Sequence, residues 1–269
     1  MAVNFAVIGV GNMANAIVAG ILASSLDIEK ILLFDKNPEQ YDRAPKSDKY
    51  VISDSIQNAV SAADVVLLSV KPQNYPQAIE EIKLADNFDK KLYISIAAGI
   101  TSDSVSSELG GACVIRVLPN LPMTIGMGVS VICENSKAST DDFDLICDIF
   151  RSSGSVIVID EKEMNRIISA TSSSPAYVFK FIDAIYQGAI AQGLSTNGLL
   201  DAICDVFIGS AALLKASGED PQVLISRVAS KGGTTQRALD KMDEYNVDKI
   251  IAEAMIACKK RAEELGDKK

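Results

Sequence analysis

The 269-residue chain contains no histidine. That removes Ser-His-Asp triads, imidazole acid–base catalysis and histidine metal ligands together. Any chemistry here needs little proton shuttling, or uses a carboxylate, lysine, hydroxyl or water. Cys-x-x-Cys pairs are also missing. The five cysteines, Cys113, Cys133, Cys147, Cys204 and Cys258, are scattered and odd in number, the pattern of reduced thiols rather than of a disulfide framework or a metal site. There is no run of lysines or arginines, and the net charge of −9 argues against nucleic acid or an anionic membrane as partner. No apolar run reaches membrane-spanning length. Met1-Ala2 leads into an apolar strand without the basic stretch of a signal peptide, so a cytoplasmic location is expected.

What is present is ordinary for a globular protein: 48% hydrophobic and 23% charged residues, on a chain long enough for one large domain or two modest ones. Residues 3–10, 30–35, 64–70, 91–97, 112–118, 128–134 and 155–160 read as strands, and most are continuously apolar, as strands covered on both faces are. Helical spacing fills 12–24, 73–84 and 101–109 between them. This β-α-β series predicts a parallel sheet with right-handed crossovers.

The texture changes after Asp160. Val178, Phe181, Ile182, Ile185 and Ala189 form one helical stripe. Leu200, Ile203, Phe207, Ala211 and Leu214 form a second, and Ile251, Ala254, Met255, Cys258, Ala262 and Leu265 a third. Pro175 is placed to start, kink or break a helix, with Ser174 a candidate cap before it. The expected organisation is an α/β domain over 1–160 and an all-α domain over 161–269. The helical stripes are too apolar for a small isolated domain, which predicts obligate dimerisation.

The first strand ends in Gly9-Val10-Gly11-Asn12-Met13-Ala14, a G-x-G-x-x-A turn that opens a helix. Gly9 permits the tight turn, Gly11 lets backbone approach a pyrophosphate, and Ala14 lets helix and strand pack closely, so 1–160 is expected to be a dinucleotide-binding (Rossmann) domain. Asp35 ends the second strand, somewhat further on than the roughly 20 residues the fingerprint expects. Its carboxylate suits ribose hydroxyls and NADH. Lys36 and Lys30 could instead hold the 2′-phosphate of NADPH, and a solvated turn before Asn37-Pro38 is a third reading of Asp35. "SVKPQ" (69–73), with Val70, Lys71 and Pro72, and "SIAAGI" (95–100), with Ala97, Ala98 and Gly99, each follow a strand and so belong on the cofactor side. The small residues at 97–99 would let a flat nicotinamide approach backbone, while the Lys71 ammonium reads as solvated. "RVLPNLP" (116–122) is either a rigid turn or a pre-set wall with Asn120 as a neutral donor and acceptor.

"SKGGTT" (230–235) holds the materials of a phosphate loop in the wrong order: Lys231 precedes Gly232 and Gly233, and a helix rather than a strand comes before it. That excludes a triphosphate loop. A helix start with glycines and the Thr234 and Thr235 hydroxyls still favours an anion, carboxylate or phosphate, although a capped helix without ligand has the same appearance.

Taken together, "IGVGNMA", "VKPQ", "SIAAGI", "RVLPNLP", "SPAYVFKFIDA" and "SKGGTT" resemble the pyrroline-5-carboxylate reductases, in the right order over nearly the whole chain. The resemblance implies an NADPH- or NADH-dependent reduction of 1-pyrroline-5-carboxylate to L-proline, NADPH being the commoner cofactor in the family. It implies a helical domain that interlocks two subunits, with dimers often assembling into decamers. It carries a substrate-carboxylate clamp onto Ser230, Gly232, Gly233, Thr234 and Thr235, with Asn120 and "SSSPAY" nearby and the Thr235 hydroxyl a donor to the ring nitrogen. No metal is implied. A cyclic imine is protonated by solvent, which agrees with the missing histidines. The chain departs from the family at Leu121, where threonine is usual, at Ser172 and Ser174, where glycine is, and at Lys231, where proline is. Two other readings stay open. One is another imine or hydroxyacid reductase of the same plan, although Lys180 lacks the G-x-x-G setting of a hydroxyacid dehydrogenase lysine. The other is a non-catalytic relative that binds dinucleotide.

Overall fold

The computed structural model describes residues 2–266. Eight strands form one sheet: β1 (Val3–Ile8), β2 (Ile28–Phe34), β3 (Tyr50–Ile52), β4 (Val65–Leu68), β5 (Leu92–Ser95), β6 (Cys113–Leu118), β7 (Gly128–Cys133) and β8 (Gly154–Ile159). Their spatial order is β3-β2-β1-β4-β5-β6-β7-β8. Helices α1 (Asn12–Ala23), α2 (Ile56–Ala62), α3 (Tyr75–Ile82), α4 (Ser102–Glu108), α5 (Thr140–Arg151) and α6 (Glu161–Ile167) connect and cover them.

The continuous apolar runs follow from this two-sided cover. Along β1, Phe5 and Val7 enter one buried cluster, and Ala6 and Ile8 enter another on the opposite face. The chain order reverses between β1 and β4, which opens a crevice at the carboxyl ends of these strands.

The sheet departs from the uniformly parallel expectation at one place. β7 runs antiparallel to β6, pairing Val117 with Ile132 and Leu118 with Val131. The connection, residues 119–127 with a 3-10 helix over Leu121–Ile125, is too short for the crossover that a parallel neighbour needs. β3 was not expected from sequence, because its Tyr50-Val51-Ile52 is short and only partly covered at the sheet edge.

Residues 2–173 with 258–266 form one compact unit, and Ser174–Ala257 a second. The change of texture at 160 precedes this division because α6 packs with the sheet: Met164 and Ile168 share a buried cluster with Leu118, Val131 and Cys133. Ala262 joins the same cluster from the end of α11 (Val247–Gly266), whose range follows α7 (Ser174–Ala191), α8 (Leu199–Ser217), α9 (Pro221–Val228) and α10 (Thr234–Glu244). In the second unit the helices form where the stripes predicted them, and α7 begins with Ser174-Pro175. Their apolar faces are not covered within the chain. Among the described residues of this unit Ile203 alone is buried, whereas Val178, Phe181, Ile185 and Leu200 are exposed.

Candidate functional site

Two glycines shape the turn after β1 in different ways. Gly9 has φ +95°, and a Cβ there would lie 2.9 Å from both the carbonyl carbon and the oxygen of Ser69. Only glycine lets β1 and the loop after β4 approach so closely. Gly11 has ordinary dihedrals and caps α1, with open space where its Cβ would stand. No side chain caps this helix and its first turn, Asn12-Met13-Ala14 and on, carries no acid. Its positive end is thus left for an anion, beside a cradle that a side chain would fill. These features fit a dinucleotide pyrophosphate.

Asp35 follows β2 and is tied into the same turn. One carboxylate oxygen accepts the Val10 amide at 2.7 Å and the other the Asn37 amide at 2.8 Å. The Tyr41 hydroxyl accepts the Asp35 amide at 2.8 Å and donates to the Asp35 carbonyl at 3.1 Å. A cleft of about 370 Å³ brings together Gly9, Gly11, Asp35, Lys36, Val70 and Lys71. Ser69 and Gln73, the ends of "SVKPQ", also line it, as does Gln40, for which the sequence carries no signal. Lys36 reaches Glu81 at 3.5 Å. Lys71 is exposed, and Pro72 lines an adjoining groove rather than this cleft.

Ala97, Ala98 and Gly99 occupy the loop after β5, outside the lining of that cleft. Ala97 is buried, and Ala98 packs on the cluster that holds Leu118 and Ala262. Gly99 has φ +83°, and a Cβ there would collide with the Ala262 carbonyl.

Beneath this loop lies a polar assembly that the sequence reading missed. Arg116, in the middle of β6, is 0% exposed. It donates to Glu161 at 2.7 Å and to Asn165 at 2.7 Å. Glu161 also accepts from the Ser102 hydroxyl at 2.8 Å and the Cys133 thiol at 3.1 Å. Burial acts to raise the Glu161 carboxyl, but hydrogen bonds from Arg116, Cys133 and Ser102 hold it below its ordinary value. Burial, then the hydrogen bond to Glu161, pushes the Cys133 thiol up. The buried Tyr75 hydroxyl contacts the Leu68 carbonyl at 3.1 Å and Ser95 Oγ at 3.0 Å. A charge within the apolar run "CVIRVL" was the available signal for Arg116.

Asn120 is 6% exposed and ties its loop to two other segments: its oxygen accepts the Val129 amide of β7 at 2.8 Å and its Nδ2 donates to the Thr171 carbonyl after α6 at 3.2 Å. One amide hydrogen is left over. Leu121, beside it, is 49% exposed.

The loop before α10 belongs to the second unit. Gly232 has φ +76°. The Gly233 amide donates to the Ser230 carbonyl at 2.9 Å, and a Cβ on Gly233 would lie 2.6 Å from Ser230 Oγ. Gly233 caps α10 without a side-chain bond, and Thr234 and Thr235 form its first residues with no acid among them. Lys231 is exposed.

Fold and cleft define a dinucleotide-binding oxidoreductase, with a nicotinamide dinucleotide as its cofactor. Comparison with known proteins agrees. Residues 161–265 match the family described as "Pyrroline-5-carboxylate reductase dimerisation", and residues 4–99 match "NADP oxidoreductase coenzyme F420-dependent". The chain is 35% identical over 266 residues to a pyrroline-5-carboxylate reductase of Vibrio alginolyticus, covering 97% of this chain and 96% of that one. It is 32% identical over 262 residues to that of Escherichia coli, covering 96% of each. The Coxiella burnetii pyrroline-5-carboxylate reductase structure superposes with TM-score 0.86 at 27% identity, covering 99% of this chain and 100% of that one. A Plasmodium falciparum pyrroline carboxylate reductase with NADP bound shares the fold, with TM-score 0.87 at 23% identity and 98% of both chains covered. The chain belongs to the pyrroline-5-carboxylate reductase family.

Proposed function

We propose that the chain reduces 1-pyrroline-5-carboxylate to L-proline. The observation that carries this reading is the 35% identity to a curated reductase over 97% of the chain, which runs through both units. When bound, the reduced nicotinamide supplies the hydride that the imine carbon accepts.

The chain's own residues then bind and orient. Gly9, Gly11, Asn12, Met13 and Ala14 hold the pyrophosphate at the start of α1. Val70, Lys71 and Pro72 border the cofactor, and Ala97, Ala98 and Gly99 back the nicotinamide with small, apolar surface. Ser230, Gly232, Gly233, Thr234 and Thr235 clamp the substrate carboxylate through the amides and hydroxyls of a helix start. The Thr235 hydroxyl donates to the ring nitrogen of the amine that hydride transfer leaves, because the protonated imine has no lone pair to accept. Asn120 acts here by fixing its loop, since its amide is largely committed. Solvent protonates the imine, so orientation is the main task of the protein, and no histidine is needed.

We propose NADH as the preferred reductant over NADPH. Two backbone amides fix the Asp35 carboxylate, which at the adenosine end would repel a 2′-phosphate, while Lys36 is drawn toward Glu81. The proposed assembly is a homodimer through the exposed apolar faces of the second unit, able to build into a decamer. The proposed location is the cytoplasm. No helix among the described residues is long and apolar enough to cross a membrane.

The test is direct. Purified chain with 1-pyrroline-5-carboxylate should oxidise NADH faster than NADPH, and the gene should rescue a proline auxotroph. No oxidation of either cofactor would overturn the assignment.

A further inference from the structure

We propose that Tyr75, Glu161 and Arg116 are positioning residues that hold the two ends of the loop 96–101 at a fixed level, so that hydride transfer depends on them without their touching cofactor or substrate. This rests on the reading of that loop as the surface behind the nicotinamide.

The loop has little of its own to hold it: Ile96, Ala97, Ala98, Gly99 and Ile100 offer no polar side chain, and the Thr101 hydroxyl is turned to the start of α4, where it accepts the Ser104 amide at 3.2 Å. Its first end is tied by Tyr75 from α3. The hydroxyl joins the Leu68 carbonyl at the end of β4 and Ser95 at the end of β5, the residue that leads into the loop. Its far end is tied by Ser102, the first residue of α4, whose hydroxyl donates to Glu161 at 2.8 Å. Glu161 is in turn fixed by Arg116 from β6, and Arg116 by Asn165 one turn further along α6. Between the two ends, Ala98 packs on the cluster of Leu118 and Ala262.

Burying an arginine beside a half-buried carboxylate adds little net stability over apolar residues of the same size, because desolvation offsets the attraction. What it supplies is directional constraint. Apolar packing would let the start of α4 slide, whereas a carboxylate that accepts from an arginine, a serine and a thiol fixes one geometry.

The test uses Tyr75→Phe and Ser102→Ala, each of which removes one oxygen, with Ser102→Thr as the conservative control. Three quantities are measured on the full chain: amide hydrogen exchange of segment 96–101 without cofactor, NADH affinity by fluorescence titration, and single-turnover hydride transfer with its primary deuterium isotope effect. Faster exchange confined to 96–101 is expected, with NADH affinity nearly unchanged because the pyrophosphate site is untouched. Hydride transfer should slow by roughly tenfold to a hundredfold, the scale of a misplacement of about 1 Å. Ser102→Thr should restore both exchange and rate. An unchanged transfer rate, or a loss no larger than the loss of NADH affinity, would overturn the proposal and leave these residues a role in stability alone. If Tyr75→Phe fails to fold, Ser102→Ala decides the matter. A wild-type chain that transfers no hydride would instead sink the functional reading, while the exchange measured without cofactor would still report whether the ties hold the loop.

Discussion

The carboxylate of Asp35 accepts the backbone amide of Val10 at 2.7 Å, which ties the end of β2 to the glycine turn that closes β1. One residue thus sets both the shape of the turn and the charge at the end of the cleft proposed to hold the adenosine. Asp35→Ser keeps an acceptor and removes the charge. A unit charge about 4 Å from another is worth roughly 1–4 kcal/mol at effective dielectrics between water and a protein surface. The ratio of kcat/KM for NADPH to that for NADH should therefore rise on the order of tenfold or more. Steady-state kinetics with both cofactors checks it. A ratio that stays put would assign Asp35 to loop structure only.

The two glycines of the turn should separate fold from function. Gly9→Ala forces a side chain into a left-handed residue and against Ser69, so both thermal stability and cofactor binding should fall, stability by at least about 1–2 kcal/mol. Gly11→Ala meets nothing within 4 Å. Its melting temperature should match wild type, while NADH affinity drops because the methyl occupies the cradle. Calorimetry paired with fluorescence titration distinguishes the two.

In the second unit, Gly233→Ala places a methyl 2.6 Å from Ser230 Oγ and deforms the proposed carboxylate clamp. The expected result is a raised KM for the imine with NADH affinity intact. Thr235→Ala should raise KM or slow turnover without changing the helix. If NADH binding falls along with imine binding in these variants, the loop is not a substrate clamp.

Acid should loosen the first unit through Glu161. Its folded-state value lies below the ordinary carboxylate value, because the hydrogen bonds from Arg116, Cys133 and Ser102 outweigh burial. A depressed carboxyl contributes stability that is fully present above its unfolded value and is lost as pH falls through the folded one. Glu161→Gln should therefore melt well below wild type at neutral pH, and the gap should narrow once pH drops beneath the ordinary carboxylate range. A gap that is constant down to strongly acidic pH would contradict this.

Dimerisation should depend on the open stripe of α7. Val178, Phe181 and Ile185 are exposed in the single chain, and burying a residue such as Phe181 contributes about 1.5–3 kcal/mol. Light scattering should report a dimer or larger assembly for wild type at micromolar concentration. Phe181→Glu should shift it toward monomer. A monomeric wild type would remove the proposed interface.

Much of this structure is legible in the sequence, for specific physical reasons. The runs through Phe5–Ile8, Val65–Leu68 and Leu92–Ser95 are apolar on alternate faces because helices cover both, so strand assignment and parallel pairing followed from composition. The glycine turn was legible because its spacing encodes a backbone requirement that Gly9 meets literally. What could not be read depends on partners distant in sequence. Asn120 is spoken for by Thr171, 51 residues away, so its donor and acceptor were visible but their commitment was not. The reversal of β7 follows from a connection too short for a crossover, a matter of loop length rather than strand pattern. Arg116 gave a visible anomaly in "CVIRVL", yet its carboxylate partner lies 45 residues on, at the start of α6. The stripes of α7 and α8 predicted helices correctly but not burial, because one chain alone does not cover them.

The return of residues 258–266 to the first unit has a practical consequence for dissection. The dinucleotide-binding half is not a contiguous stretch of sequence. A fragment cut after residue 160 would lose α6 and the end of α11 together, stripping Leu118, Val131 and Cys133 of their cover and leaving Arg116 without its carboxylate. The helical half is an insertion held at both ends. A minimal cofactor-binding module would have to bridge Ser173 directly to Cys258, two residues whose side chains already meet at 3.3 Å.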